Sequence, residues 1–280
     1  MAGRRMIGID RGEPRALWTM TPLLLRIDDY FDRVSGWDAD RVSVGPLTLF
    51  VNRAPWANSA RPTPTRQIAG RHLRLLQRRC AHYEMPMQLE WIHELHPELE
   101  GVAFREGLAI TDHPLLFMRP GGLVPRDRHP SVRILGHDDQ ALMTSRGVVD
   151  VAFDGSMPTT AGIDERDRCV DAMDEDLVSY LRARSGLGRT VTAAALAMPG
   201  GPLATGSYHR ADTTAEIVGV GTLPAYRRQG LGSDVVHLLC EHAFANGVNT
   251  LVLTAKSEQV GALYQVLGFA RAGTVMSAHE

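Results

Sequence analysis

The chain of 280 residues has only three cysteines, Cys80, Cys169 and Cys240. They are too few and too scattered for a disulfide framework or a C-x-x-C metal site, and read as reduced packing residues. No apolar run approaches the roughly 18 residues that would span a bilayer, and the basic start is not followed by the apolar stretch of a secretion signal. A formal net charge of -2 provides no basic field to gather nucleic acid or anionic lipid. Walker lysine, G-x-G-x-x-G and G-x-S-x-G are all missing, which removes the P-loop, dinucleotide and elbow-serine readings. His93-Glu94-Leu95-His96 spaces its histidines three apart with Pro97 following, whereas a zinc helix needs four. These absences point to a soluble cytoplasmic protein without nucleic-acid, membrane or metal partners. They leave the oligomeric state open.

What is present is globular: 44% apolar and 22% charged residues. The length favours two domains. The connection is expected at 119–130 (RPGGLVPRDRHP), rich in proline, glycine and charge. Residues 1–18 read as a polar leader, 19–118 as one domain and 131–280 as another.

Periodicity in the second domain predicts a strand at 131–136 and a helix from Asp138, then a helical region at 164–185. Strands flank the turn Pro199-Gly200-Gly201-Pro202. A strand at 215–223, a helix at 229–246, a strand at 250–255, a helix at 258–267 and a strand from Phe269 complete the domain. The first domain repeats that closing order with a helix at 66–82, a strand at 88–93, a helix at 97–106 and a strand at 110–118. Even the spacing agrees: Gln67 lies 40 residues before Gly107, and Gln229 lies 39 before Gly268. Two copies at this period indicate duplication.

The stretch EIVGVGTLPAYRRQGLGS, from Glu216 to Ser233, carries the chemistry. A strand runs through Pro224 into a basic turn and a helix. Gly230 and Gly232 bare the backbone where N–H groups and the positive end of the helix dipole can meet a pyrophosphate. Arg227 and Arg228 add charge-assisted contacts. Taken alone, the two glycines could equally be packing residues beside a solvated arginine turn.

Arg227-Arg228-Gln229-Gly230-Leu231-Gly232 behind Pro224 resembles the Q/R-x-x-G-x-G/A pyrophosphate loop of the GNAT acyltransferase superfamily. SEQVGALYQVLGF, residues 257–269, resembles its closing motif in Tyr264, Leu267, Gly268 and Phe269, with Ser257 where the family commonly has asparagine. The resemblance covers the chain from Val132 onward. It implies an α/β protein of two GNAT-like domains, each a mixed, largely antiparallel sheet flanked by helices. The first is degenerate, because Arg66-Gln67-Ile68-Ala69-Gly70 lacks the glycine pair.

The resemblance further implies acetyl-coenzyme A as co-substrate and an amine of a small molecule or peptide as acceptor. Backbone groups of Val220, Gly221 and Thr222 would meet the thioester and pantetheine. Arg228, Gln229, Gly230, Leu231, Gly232 and Ser233 would hold the pyrophosphate. Tyr264 would protonate the thiolate, unless it is a core aromatic. Glu216 resembles the strand glutamate that is the base in histone acetyltransferases, and strand alternation would put it on one face with Val218, Val220 and Thr222. Its alternative is a solvated strand-end carboxylate, and His209 is a second candidate base. Acceptor choice would lie near residues 153–167 and Trp56. The competing function is a non-catalytic acyl-coenzyme A sensor or partner protein.

Overall fold

The computed structural model describes residues 15–52, 59–64 and 66–280, with side chains from Met20 onward. Residues 1–14 of the expected leader, and Trp56, lie outside the described residues. The leader reading ends early in any case, since helix α1 (Arg15–Ser35) begins inside it. The first half continues with β1 (Ala39–Val44), β2 (Leu47–Asn52), β3 (Ser59–Pro62), α2 (Gly70–His82), β4 (Gln88–Ile92), α3 (Pro97–Arg105) and β5 (Ala109–Met118). The second comprises β6 (Val132–Leu135), α4 (Ala141–Phe153), α5 (Ile163–Asp171), α6 (Glu175–Gly186), β7 (Thr190–Ala197), β8 (Gly201–Ala211) and β9 (Thr214–Thr222). It ends with α7 (Leu231–Ala245), β10 (Thr250–Thr254), α8 (Glu258–Gln265) and β11 (Ala270–His279).

The expected single helical region at 164–185 is two helices. Asp174 breaks it by capping α6, its carboxylate accepting the Asp176 N–H at 2.7 Å. The element order repeats: β3-α2-β4-α3-β5 matches β9-α7-β10-α8-β11, and the first two strands of each set pair in parallel.

The last strands are exchanged. Among the described residues the strands form one eleven-stranded sheet in the order β1-β2-β3-β4-β11-β5-β10-β9-β8-β7-β6. β5 of the first unit lies against β10 of the second, and β11 of the second lies between β4 and β5. In place of the two separate sheets expected from sequence there is one continuous sheet, in which β11 and β5 interleave the two halves. Helix α1 covers the junction. It lays Leu23, Leu24, Ile27 and Tyr30 over Ile92, Leu115, Val252 and Val275, residues drawn from both halves.

The connection at 119–130 is exposed, as its composition implies, yet it is tied down. Val124 N–H donates to Leu267 O at 3.1 Å, and Asp234 at the start of α7 forms an ion pair with Arg126 Nη2 (2.6 Å) and accepts the His129 N–H (3.1 Å). Gly268 explains itself here. It sits at φ 108°, where a Cβ would lie 1.9 Å from the Gly122 carbonyl oxygen. Gly268→Ala is therefore expected to cost at least about 1–3 kcal/mol in backbone strain alone. Urea denaturation measures this, and an unchanged midpoint would contradict the docking of the connection.

Candidate active site

β9 and β10 pair only over Thr214–Glu216, opposite Thr250–Val252, and then diverge. From Ile217 to Thr222, β9 has β8 on one side and, among the described residues, no strand on the other. One residue of β8, Gly206, faces two of β9, Gly219 and Val220, so β9 carries a bulge with Gly219 at φ 59°. The bulge overturns the expected alternation. Val220 turns toward α7, close to where a Cβ on Gly206 would stand, and Thr222 Oγ1 lies beside Gly232. Gly219 and Gly221 face α4, where a Cβ on Gly221 would meet that of Ala152 at 2.9 Å. Glu216 and Val218 hold the positions opposite His209 and Ser207.

β9 leads through a 3-10 turn, Pro224–Tyr226, to the basic loop and α7. Arg228 at φ 68° and Gly230 at φ 80° fold the loop back over the helix start. Among the described residues, the N–H groups of Arg228 to Ser233 find no acceptor, and the first intrahelical bond of α7 is Asp234 N–H to Gly230 O at 3.0 Å. A helix start with a row of free donors and its dipole directed outward is suited to an anion. Arg228 and Gln229 are exposed, Leu231 is buried in the core, and Gly232 and Ser233 are half-buried. Arg227 braces the loop, donating to Thr222 O (3.3 Å) and Ala152 O (3.2 Å). Sequence reasoning missed Arg126, whose Nη2 would be 3.6 Å from a Cβ on Gly230. It reaches the loop from the connection, with no local sequence signal.

The matching helix start in the first half is filled from within. The Glu106 carboxylate occupies the space where a Cβ on Gly70 would stand, and Arg74 Nη1 holds both its oxygens at 2.5 and 2.7 Å. The Ala69 N–H is taken by His72 Nδ1 at 3.1 Å.

Glu216 retains a little solvent contact, but protein atoms crowd its carboxyl. Burial pushes its pKa up to about 8, helped by the negative charge of Glu90 and opposed by Arg61. His209 stands opposite it on β8, and burial together with the Arg184 charge lowers its pKa to about 3. Tyr30 of α1 donates its hydroxyl to His209 O at 2.8 Å, so the first half helps to build this spot. On the other arm of the split, Tyr264 of α8 packs edge-on to Phe269 at 6.0 Å and its hydroxyl has no hydrogen bond among the described residues. Burial raises it to about 12. Ser257 Oγ caps α8, accepting the Val260 N–H at 3.4 Å.

A cavity of about 390 Å³ opens beside Val218, Gly219 and His209 and runs between the two halves to α4, α6 and the end of α1.

Residues 161–269 match the model of the acetyltransferase (GNAT) family. That segment is similar to the GNAT family. A GCN5-related N-acetyltransferase from Kribbella flavida is 21% identical, with 92% of this chain and 95% of that chain covered at a TM-score of 0.70. A functionally unknown conserved protein from Staphylococcus epidermidis is 15% identical, covering 87% and 94% at 0.60. A tandem GNAT protein from the clavulanic acid biosynthesis pathway is 14% identical, covering 83% and 78% at 0.51. At these identities the likeness is one of fold. No curated protein matches the chain. The match to the GNAT family model supports acyl transfer as the general chemistry, with the bulged strand, the loop and α7 inside the matched segment.

The raised pKa of Glu216 has a consequence for stability. An unfolded glutamate ionises near 4.5 and this one near 8, so the contribution of the protonated carboxyl is complete below pH 4.5 and lost as pH rises through 8. Glu216→Gln, which cannot ionise, is expected to melt higher than the parent at about pH 9 and alike at about pH 4. Equal melting temperatures at the higher pH would contradict the crowded setting of this carboxyl.

Proposed function

We propose that the protein moves an acetyl group from acetyl-coenzyme A to an amine of a small molecule or peptide by direct attack. The observation that carries this reading is the run of unpaired N–H groups at Arg228–Ser233, next to a strand edge without a partner. A pyrophosphate suits the first and an extended pantetheine arm suits the second, since both offer backbone groups that lack protein partners. In this reading Arg228 and Arg126 add charge to the phosphate site while Arg227 holds its shape. The connection and α7 therefore build it together.

The amine reaches the thioester carbonyl with its lone pair after a proton passes to Glu216. The new C–N bond forms as the C–S bond breaks, and the thiolate takes a proton from Tyr264, which recovers one from the acylated nitrogen. Of the two candidate bases, His209 is held neutral down to about pH 3 and is a poor proton acceptor. Glu216 with its pKa near 8 is the stronger base when ionised, and its competent fraction grows as pH approaches 8. Backbone N–H groups near Val220 and Gly221 would stabilise the oxyanion.

In this reading residues 19–118 are a degenerate GNAT-like unit joined through 119–130 to the coenzyme-binding unit at 131–280. Glu106 supports this, because it places a carboxylate where a second pyrophosphate would have to sit. The first unit would then shape the acceptor side through α1 and the edge of the cavity.

Thiol release from acetyl-coenzyme A with a broad amine panel, alongside titration calorimetry of coenzyme A, tests the proposal. The parent is expected to bind and turn over. Gly230→Val is expected to lose binding, because a branched side chain would cover the free N–H groups. Tyr264→Phe is expected to bind normally with kcat lowered about 10- to 1000-fold, as for loss of a general acid that water partly replaces. Tight binding without thiol release for any amine would instead indicate a sensor. Unchanged affinity in Gly230→Val would remove the phosphate site.

A further inference from the structure

The cavity beside β9 has a chemical character of its own. Besides Tyr180, four ionisable side chains line it: Asp38, Arg146, Arg184 and His209. Three of them are accounted for within the protein. Asp38 accepts the Tyr180 hydroxyl at 2.7 Å and has Arg189 Nη1 at 4.0 Å. Arg146 pairs with Asp150 at 2.7 Å. His209 is uncharged across the neutral range.

Arg184 differs. Its guanidinium stacks over the Trp37 ring at 4.7 Å and donates from Nη1 to the Tyr180 hydroxyl at 2.9 Å. It has no carboxylate in ion-pair range among the described residues, and its Nε is buried without a partner. Two hydroxyls lining the same cavity are also buried and unpartnered, Ser145 Oγ of α4 and Thr190 Oγ1 of β7, and Ser145 is only 2% exposed. Buried polar groups are nearly always paired, so three that line one cavity mark where a ligand supplies the missing partner. A guanidinium N–H with two hydroxyls nearby is a donor set for a carboxylate.

We infer that the acceptor is a small amine that also carries a carboxylate, an amino acid or close analogue, held by that carboxylate on Arg184, Ser145 and Thr190. Its amine is then directed along the cavity toward Val218 and Glu216. This inference rests on the acyl-transfer reading for what happens at the amine, but the carboxylate site stands on the cavity alone. A space of about 390 Å³ matches a small molecule. The unneutralised Arg184 disfavours polycations such as polyamines. The product would be an N-acetyl amino acid with free coenzyme A, the nitrogen having surrendered its protons to Glu216 and, by way of Tyr264, to sulfur.

The test sets the twenty common amino acids against their α-amides and spermidine, with thiol release and calorimetry in the presence of coenzyme A read in parallel on the full chain. One or more amino acids are expected to bind and react at least tenfold better than the matching amide. Arg184→Gln is expected to erase that ratio, mainly through KM, and Arg184→Lys to restore part of it. A merely structural arginine would lower rates for acid and amide alike and leave the ratio unchanged, which overturns the inference. Amides or spermidine reacting as well as the acids would also overturn it while leaving acyl transfer intact. Amino acids that bind through their carboxylate without thiol release would retain the site and remove the acyl-transfer reading. No binding of any amino acid removes the site itself.

Discussion

The divergence of β9 from β10 after Glu216 is the constraint on which the rest of the structure depends. Two parallel strands that part leave backbone groups without partners, and such groups are tolerated only where water or a ligand can reach them. The chain prepares the opening from several directions. A bulge at Gly219 turns β9 at the place where pairing stops, and α7 follows β9 so closely that its free N–H groups lie beside the same gap. β10 keeps its order because β5, from the other half, covers its far side.

The exchange of β5 and β11 makes one body of two copies and gives them unequal tasks. Each copy has a parallel strand pair with a helix between, yet only one helix start is open. At α2 the protein fills the position with Glu106 and its arginine; at α7 it leaves the donors free and sets Arg126 nearby, tied to Asp234. The first copy serves the second in other ways: Tyr30 buttresses the strand of His209, and Asp38 closes the far end of the cavity.

Much of this was legible in the sequence where the signal was local. The loop at Arg227–Gly232, the closing motif around Tyr264 and the repeated order of helices and strands all come from neighbouring residues with fixed spacing. The elements between Arg15 and Pro62 were not legible. β3 has four residues and meets β4 at the single pair Ala60 and Leu89, while α1 carries Pro22 and starts within a polar stretch. The strand exchange was hidden because strand pattern fixes which residues face the core and not which neighbour they meet. The bulge was hidden because Gly219 changes the alternation by its conformation, so Val220 and Thr222 left the face of Glu216. Arg126 and Arg184 meet their partners Asp234 and Trp37 only across the fold, and Gly268 shows its purpose only when Gly122 lies against it.

Amide hydrogen exchange with and without coenzyme A measures the central claim most directly, because it reads the two helix starts in one experiment. Slowed exchange is expected at Arg228–Ser233 and along β9 from Ile217 to Thr222, with the start of α2 at Gly70 to Leu73 unchanged. Bound coenzyme A that leaves the α7 amides exchanging freely, or protects the α2 amides instead, would contradict it.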